Sequence, residues 1–187
     1  MPEPEKPRRH VVVWEDPGII AREGRTMSGL DCIRALVSGK LPLPPVSSLV
    51  GLHLTDVSEG HVAGTLEPAE YQYNPLGTVH GGILTTLMDS VMSCAVHTLL
   101  PAGVGYSTVE VKANFVRPVR VDTGTMHCEG FVVHAGSRIA TAECRVTDSA
   151  GTLYAHGVNT CLILRPSSSD GAQSTAAESG VGQADTG

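Results

Sequence analysis

The sequence predicts an α+β domain in which an antiparallel sheet wraps one long apolar helix. Three observations carry this expectation. Apolar residues recur at helical spacing from about Val79 to Leu99, period-two segments flank that stretch on both sides, and the connections are short enough for antiparallel neighbours. No period of 20 to 50 residues recurs, so one domain suffices.

Taken in order, residues 1 to about 26 mix both signs of charge and are broken by Pro2, Pro4, Pro7 and Pro17, which predicts an irregular arm. Within 27–48 a short helix is expected from Ser28 to Ser38. Leu30, Ile33, Leu36 and Val37 give its apolar face, Gly39 its stop, and Leu41 to Pro45 a stiff connector. The main domain, 49–165, opens on a hairpin: Val50, Leu52 and Leu54 alternate with polar or small residues, Ser58-Glu59-Gly60 turns, and Val62, Gly64 and Leu66 alternate again. The long helix follows, with Ile83, Leu84, Leu87, Met88, Val91, Met92, Ala95 and Leu99 on a broad face that ends before Pro101. In the next strand Val109, Val111, Ala113 and Phe115 are expected on one face, with Thr108, Glu110, Lys112 and Asn114 on the other. Stretches from Thr125 to His134 and Arg138 to Asp148 join through Ala135-Gly136-Ser137, and Leu153 to Leu164 closes the sheet. Ala140, Ala142, Cys144 and Val146 form a small-residue face on which a helix can lie close. Residues 166–187 read as a disordered tail, since Val181 is the one large apolar residue after Pro166.

Of 187 residues, 41% are hydrophobic and 17% charged, and thirteen Lys and Arg stand against nineteen Asp and Glu for a net charge of −6. That balance argues against nucleic acid and anionic membranes as partners. No stretch reaches the roughly 18 to 20 apolar residues that span a bilayer, and the start does not read as a signal peptide, so a cytoplasmic protein is expected. Cys32, Cys94, Cys128, Cys144 and Cys161 form no CxxC pair, and the eight histidines show no metal-ligand spacing. Buried reduced thiols, no metal and no cofactor are the expectation. His127 beside Cys128 is not a nucleophile pair, because neighbours in a strand point to opposite faces.

The segment Asn74-Pro75-Leu76-Gly77-Thr78-Val79-His80-Gly81-Gly82 leads directly into the long helix, which contains Asp89. Paired glycines at a helix start leave backbone N–H groups open to a ligand, and the positive end of the helix favours a developing oxyanion. The same residues admit a purely structural reading, in which Gly81 and Gly82 permit close packing and His80 caps the helix. Asp89, flanked by Leu87, Met88, Val91 and Met92, is costly to desolvate unless paired or used in chemistry. Its structural alternative is an exposed stripe or a bond to a neighbouring strand. Ser93, one turn on, either holds a water or acyl group beside Asp89 or is a small polar residue in a tight helix.

His80 and Asp89 are nine residues apart, so on one helix they differ by half a turn and lie about 13.5 Å apart along the axis. They cannot both reach one carbonyl. If both act, the site combines the helix start of one subunit with Asp89 of another, which requires a two-fold dimer.

NPLGTVHGG, the aspartate nine residues after its histidine, and the later NFVRP (Asn114 to Pro118) resemble the hotdog-fold acyl-CoA thioesterases, in particular the PaaI-like group of phenylacetic acid degradation. The resemblance covers about Leu49 to Leu164. It implies a hotdog fold, dimers whose sheets join, and often a dimer of dimers. It further implies hydrolysis of an aromatic or medium-chain acyl-CoA, with coenzyme A part of the substrate. By the same resemblance Asn74 and the Gly81 N–H, with Gly82 beside it, bind and polarise the thioester carbonyl. His80 orients that group or the leaving thiolate, and Asp89 is nucleophile or general base. Ser107, or Thr108 one residue on, falls near the hydroxyl that positions water. Gly136, Ser137 and Arg138 mark the turn near the coenzyme A end, and Arg117 is a second cation for its phosphates; Ser137 and Arg138 also fit a plain hairpin turn. Two rival functions remain: a non-catalytic acyl-CoA sensor or binding subunit, and a hotdog dehydratase or hydratase.

Overall fold

A computed structural model of the protein describes residues 7–166. The tail expected from residue 166 onward lies, apart from Pro166 itself, outside the described residues. Six strands form one antiparallel sheet: β1 (Leu52–Ser58), β2 (His61–Leu66), β3 (Gly105–Phe115), β4 (Met126–Ala135), β5 (Ile139–Thr147) and β6 (Leu153–Leu164). Their order across the sheet is β1-β2-β4-β5-β6-β3. The third strand in sequence therefore lies at an edge, paired only with the last.

The expected sequence of elements is present, with additions at the amino-terminal side. The arm expected to be irregular carries α1 (Gly18–Glu23) and a 3₁₀ turn at Gly24–Thr26. The next helix, α2 (Gly29–Val37), starts where Ser28 accepts the Asp31 N–H, an N-cap that satisfies a first-turn donor. The connector gives way at Pro45 to a further helix, α3 (Pro45–Val50), because proline at the first helical position is preorganised and lacks only an N–H the helix would leave unpaired. This helix takes Val50, which alternation assigns to the first strand.

The long helix is α4 (Gly81–His97), and it lies across the concave face of the sheet, touching all six strands. Leu87, Met88, Val91, Met92, Ala95 and Val96 have no exposed surface. The strands beneath are thinned to admit it. A side chain at Gly130 would come within 2.9 Å of Val91 and 3.2 Å of the Met92 nitrogen, and Ala140, Ala142, Cys144 and Val146 are all buried on the same face. At the far end α2 seats on α4. The Gly29 N–H donates to the Leu100 carbonyl at 2.9 Å, and a β-carbon at Gly29 would stand 1.7 Å from the His97 carbonyl oxygen.

Several strand pairs carry register shifts, and the one in β3 bears on the site. In β3, Thr108 is opposite Cys161 and Glu110 is opposite Thr160, so Val109 is an extra residue, a β-bulge. The bulge turns Thr108 inward with Tyr106, and Val111 and Ala113 continue that face to Phe115, half-exposed at its end against Gly81; Val109, expected to share it, is 60% exposed.

Candidate active site

The helix start is held by its own loop. Asn74 Oδ1 accepts from the Leu76 and Thr78 N–H groups at 2.9 and 3.3 Å, its Nδ2 donates to Thr78 Oγ1 at 2.9 Å, and Gly77 supplies the left-handed backbone (φ 73°) that the turn requires. The His80 N–H donates to the carbonyl of Gln72, a buried side chain tied to Val50 and Glu67 carbonyls at 3.0 and 3.1 Å. His80 itself caps α4: its Nδ1 accepts the Gly82 N–H at 2.9 Å. In the neutral ring this assigns the remaining hydrogen to Nε2, which points a donor outward.

These bonds decide which groups stay open to a ligand. Gly82, expected to help bind the carbonyl, has its N–H committed to the cap. The Ile83 and Leu84 N–H groups go to the His80 carbonyl. That leaves the Gly81 N–H at the positive end of the helix, and the second hydrogen of Asn74 Nδ2. Asn74 and Gly81 line one pocket of about 320 Å³ with Leu84, Phe115, Arg117 and Val119. The Phe115 ring lies directly against Gly81, where a β-carbon would stand 3.0 Å from it. His80 is exposed at the helix start and is not among the residues lining the pocket.

Two turns along α4 lies a separate constellation. Asp89 Oδ1 accepts from Ser93 Oγ and Thr108 Oγ1, each at 3.0 Å, and those two hydroxyls are 2.9 Å apart. Asn159 of β6 donates through Nδ2 to Ser93 at 3.1 Å and reaches Asp89 at 3.5 Å. Its Oδ1 is a buried acceptor with no hydrogen-bond partner among the described residues. Cys161 completes the floor, its sulfur 3.6 Å from Asn159 Nδ2. No cation among the described residues is paired with Asp89. A carboxylate held on one oxygen by neutral donors leaves its second oxygen for a reacting group.

Ser107, expected ahead of Thr108, is exposed; the bulge gives Thr108 that place. Asn159 escapes sequence reasoning, since nothing in Leu153–Leu164 marks it and only strand pairing brings it to Asp89. Gly136, Ser137 and Arg138 form the exposed β4–β5 turn, where the Gly136 N–H donates to the Ile139 carbonyl and the Arg138 carbonyl accepts from the Ile163 N–H. Arg117 lies at the other end of β6, donating to the Leu153 carbonyl at 2.5 Å. Ten residues of strand, about 33 Å, separate those ends. Within one chain the two arginines therefore do not share a phosphate.

Cys94, Cys128 and Cys161 are held in their neutral form. Burial pushes Cys94 up to about 12, with a hydrogen bond from Tyr106 opposing it, and raises Cys161 as well. Cys128 is driven well above the usual thiol range, first by its hydrogen bond with Cys144 and then by burial. His127 meets Ser149 at 3.3 Å and does not form a pair with Cys128. Among the described residues no three His, Cys, Asp or Glu side chains are grouped to hold a metal ion.

The thioesterase superfamily model matches residues 76–155, which run from the Asn74 loop through α4 and into β6. A Halobacterium salinarum protein named as a candidate esterase is 30% identical over 133 residues, covering 67% of this chain and 86% of that one. The chain belongs to the thioesterase superfamily. Among solved structures, a conserved protein from Pseudomonas aeruginosa shares 33% identity with a TM-score of 0.61, over 65% of this chain and 95% of its own. The E. coli PaaI protein from the phenylacetic acid degradation operon, at 19% identity, has the same fold with a TM-score of 0.56 over 62% of this chain and 86% of its own. The sheet wrapped on α4 is thus the hotdog fold. At the level of the superfamily the chemistry is hydrolysis of a thioester.

Proposed function

We propose that the protein hydrolyses acyl-CoA thioesters at a site shared by two subunits of a homodimer. The observation that carries this reading is the placement of both half-sites on one edge strand. Thr108, which holds Asp89, and Phe115, which covers Gly81, both lie on β3, whose outer edge has no neighbouring strand among the described residues. Antiparallel pairing of β3 with its copy about a two-fold between Val111 and Lys112 sets Thr108 of one subunit opposite Phe115 of the other. Asp89 then faces the second subunit's Asn74–Gly81 pocket.

In that site the thioester oxygen accepts from the Gly81 N–H and Asn74 Nδ2, at the positive end of α4, where negative charge develops in the tetrahedral intermediate. Asp89 attacks the carbonyl carbon as nucleophile, or takes a proton from an attacking water as general base. On the first route the C–S bond breaks to leave an aspartyl mixed anhydride that a water then hydrolyses; on the second the water's oxygen adds to the carbonyl carbon and the C–S bond breaks; on both, water supplies the hydroxyl of the released acid and the proton of the coenzyme A thiol. The His80 Nε2–H is a donor for the departing sulfur. Arg117 and the Gly136–Arg138 turn are the surface groups for the phosphates of coenzyme A, contributed by different subunits. The protein needs no cofactor for these steps and acts in the cytoplasm.

The test is free-thiol release from aromatic and C2 to C16 acyl-CoA thioesters, with Asp89→Asn beside the wild type. Turnover that falls by about a thousandfold or more in a folded Asp89→Asn protein is expected. Full activity in that variant sinks the mechanism, and binding without turnover in the wild type transfers the reading to a sensor. Heterodimers of Asp89→Ala with Gly81→Pro should regain part of the activity that neither homodimer has.

A further inference from the structure

The inner face of β6 reads Ala155, Gly157, Asn159, Cys161 and Ile163, all of them buried. Asn159 is the one amide in that row, 2% exposed, with Ala142 of β5 and Val111 of β3 as its strand neighbours. Burying an amide costs free energy unless both of its ends are hydrogen-bonded. Only one end is. Its Nδ2 donates to Ser93 Oγ at 3.1 Å and reaches Asp89 Oδ1 at 3.5 Å, whereas its Oδ1 finds no donor among the described residues. Turning the amide over gives no relief, because its oxygen would then face the carboxylate oxygen at 3.5 Å and its nitrogen would be the group without a partner. A leucine of similar shape would fit the row without these costs, so stability does not explain the residue.

The supply of hydrogens around Asp89 does explain it. Asp89 Oδ1, Ser93 Oγ and Thr108 Oγ1 form a triangle with edges of 3.0, 3.0 and 2.9 Å. Each hydroxyl brings one hydrogen, so one edge must go without. When both hydrogens point at Asp89, the hydroxyl oxygens face each other with nothing between them. When Thr108 turns to Ser93 instead, Asp89 loses a donor. The outcome depends on what else Ser93 Oγ accepts. The Asn159 N–H fills it with a hydrogen that is fixed in the amide plane and cannot swing away as a hydroxyl hydrogen does. Cys161, 3.9 Å from both hydroxyls and a weak donor, is no substitute. With Ser93 so occupied, the Thr108 hydrogen gains more from the carboxylate.

We infer that Asn159 is a positioning residue for Asp89: by occupying Ser93 it commits both hydroxyl hydrogens to one carboxylate oxygen and holds the other towards the reacting group. The inference rests on the thioesterase reading for what Asp89 acts on, but the order of the hydrogen bonds does not. It follows that Asn159 makes the fold less stable and the reaction faster.

The test pairs activity with stability. Asn159→Leu keeps the approximate shape and removes both polar ends. Its kcat should fall by about tenfold while KM stays within about twofold, and its melting midpoint should hold or rise, since an apolar side chain in place of a half-satisfied amide is neutral or stabilising. A lower midpoint with kcat within about twofold is the mark of a merely structural residue and overturns the inference. Ser93→Ala completes a cycle. Adding Asn159→Leu to it should change kcat by less than about twofold, and a full second loss overturns the route through Ser93. A measurement without turnover separates the inference from the reading beneath it. In protein labelled with carboxyl-13C aspartate, the Asp89 resonance, assigned by its loss in Asp89→Asn, should shift in Asn159→Leu but not when Asn159→Leu is added to Ser93→Ala. That pattern in a protein that hydrolyses no thioester overturns the thioesterase reading and leaves the positioning intact. Turnover with an unmoved resonance and unchanged kcat in Asn159→Leu overturns the positioning alone. Asn159→Ala removes the same N–H with a smaller side chain, so failure of one variant to fold leaves the other to decide.

Discussion

Asp89 receives its hydrogen bonds from three elements: Ser93 from its own helix, Thr108 from β3 and, at longer range, Asn159 from β6. Each donor fixes one oxygen and leaves the other free to react. Thr108→Val keeps the shape and removes the hydroxyl, and kcat should fall by about tenfold to a hundredfold, while Ser107→Ala stays within about twofold. Steady-state kinetics on one acyl-CoA compares them directly. The aspartate and the Asn74–Gly81 segment are legible in the sequence, because a carboxylate among Leu87, Met88, Val91 and Met92 and a glycine pair at a helix start are local signals. Thr108 and Asn159 are not. A one-residue bulge reverses the face of the first, and the second is brought in by strand pairing across 70 residues. At the same scale the thiols set an alkaline limit. Cys94 is raised in the folded state to about 12, above its ordinary 9.0. A raised thiol contributes stability that is complete below about 9 and lost as the pH climbs towards 12. Thermal unfolding followed from pH 7 to 11 should show a falling midpoint above about 9.

At the scale of elements, the strands are legible because their faces differ. Gly64, Gly130 and Gly157 lie on the side that α4 covers, and the polar residues between them lie on the other. The short helices are less so. Six-residue α1 and α3 are too brief for a periodicity to register, and the signal for α3 is a proline that also reads as a breaker. Helix α2 is bound to α4 through Gly29, whose absent side chain lets the backbones touch. Gly29→Ala should cost about 1–3 kcal/mol despite alanine's better helix propensity, since the 1.7 Å approach to the His97 carbonyl forces the helices apart. A melting midpoint lower by several degrees checks it.

For the whole molecule, the proposed composite site would make activity a property of the pair. Specific activity should fall on dilution below the dimer dissociation constant and return on concentration, with sedimentation following the same curve. A site complete in one chain would hold its specific activity constant. The expectation of a shared site comes from the sequence, from the half turn of helix that separates His80 from Asp89. A cavity of about 410 Å³ between the amino-terminal segment, the end of α4 and the start of β3 is not legible there, because its walls come from residues as far apart as Ile20 and Tyr106, which no local pattern connects.

The position of β3 in the sheet also orders the birth of the domain. Although β3 is synthesised third, its only partner within the described chain is β6, the last strand to leave the ribosome. Strands β1, β2, β4 and β5 can pair as they emerge, each with a neighbour already made or made next. Until Leu153–Leu164 is available, β3 has no strand beside it, Thr108 is not fixed, and Asn159 has not reached Asp89. A closure over so long a stretch of chain is entropically slow, which places it late in folding. The Asp89 constellation is thus finished only when the rest of the fold is, and a nascent or prematurely ended chain lacks it.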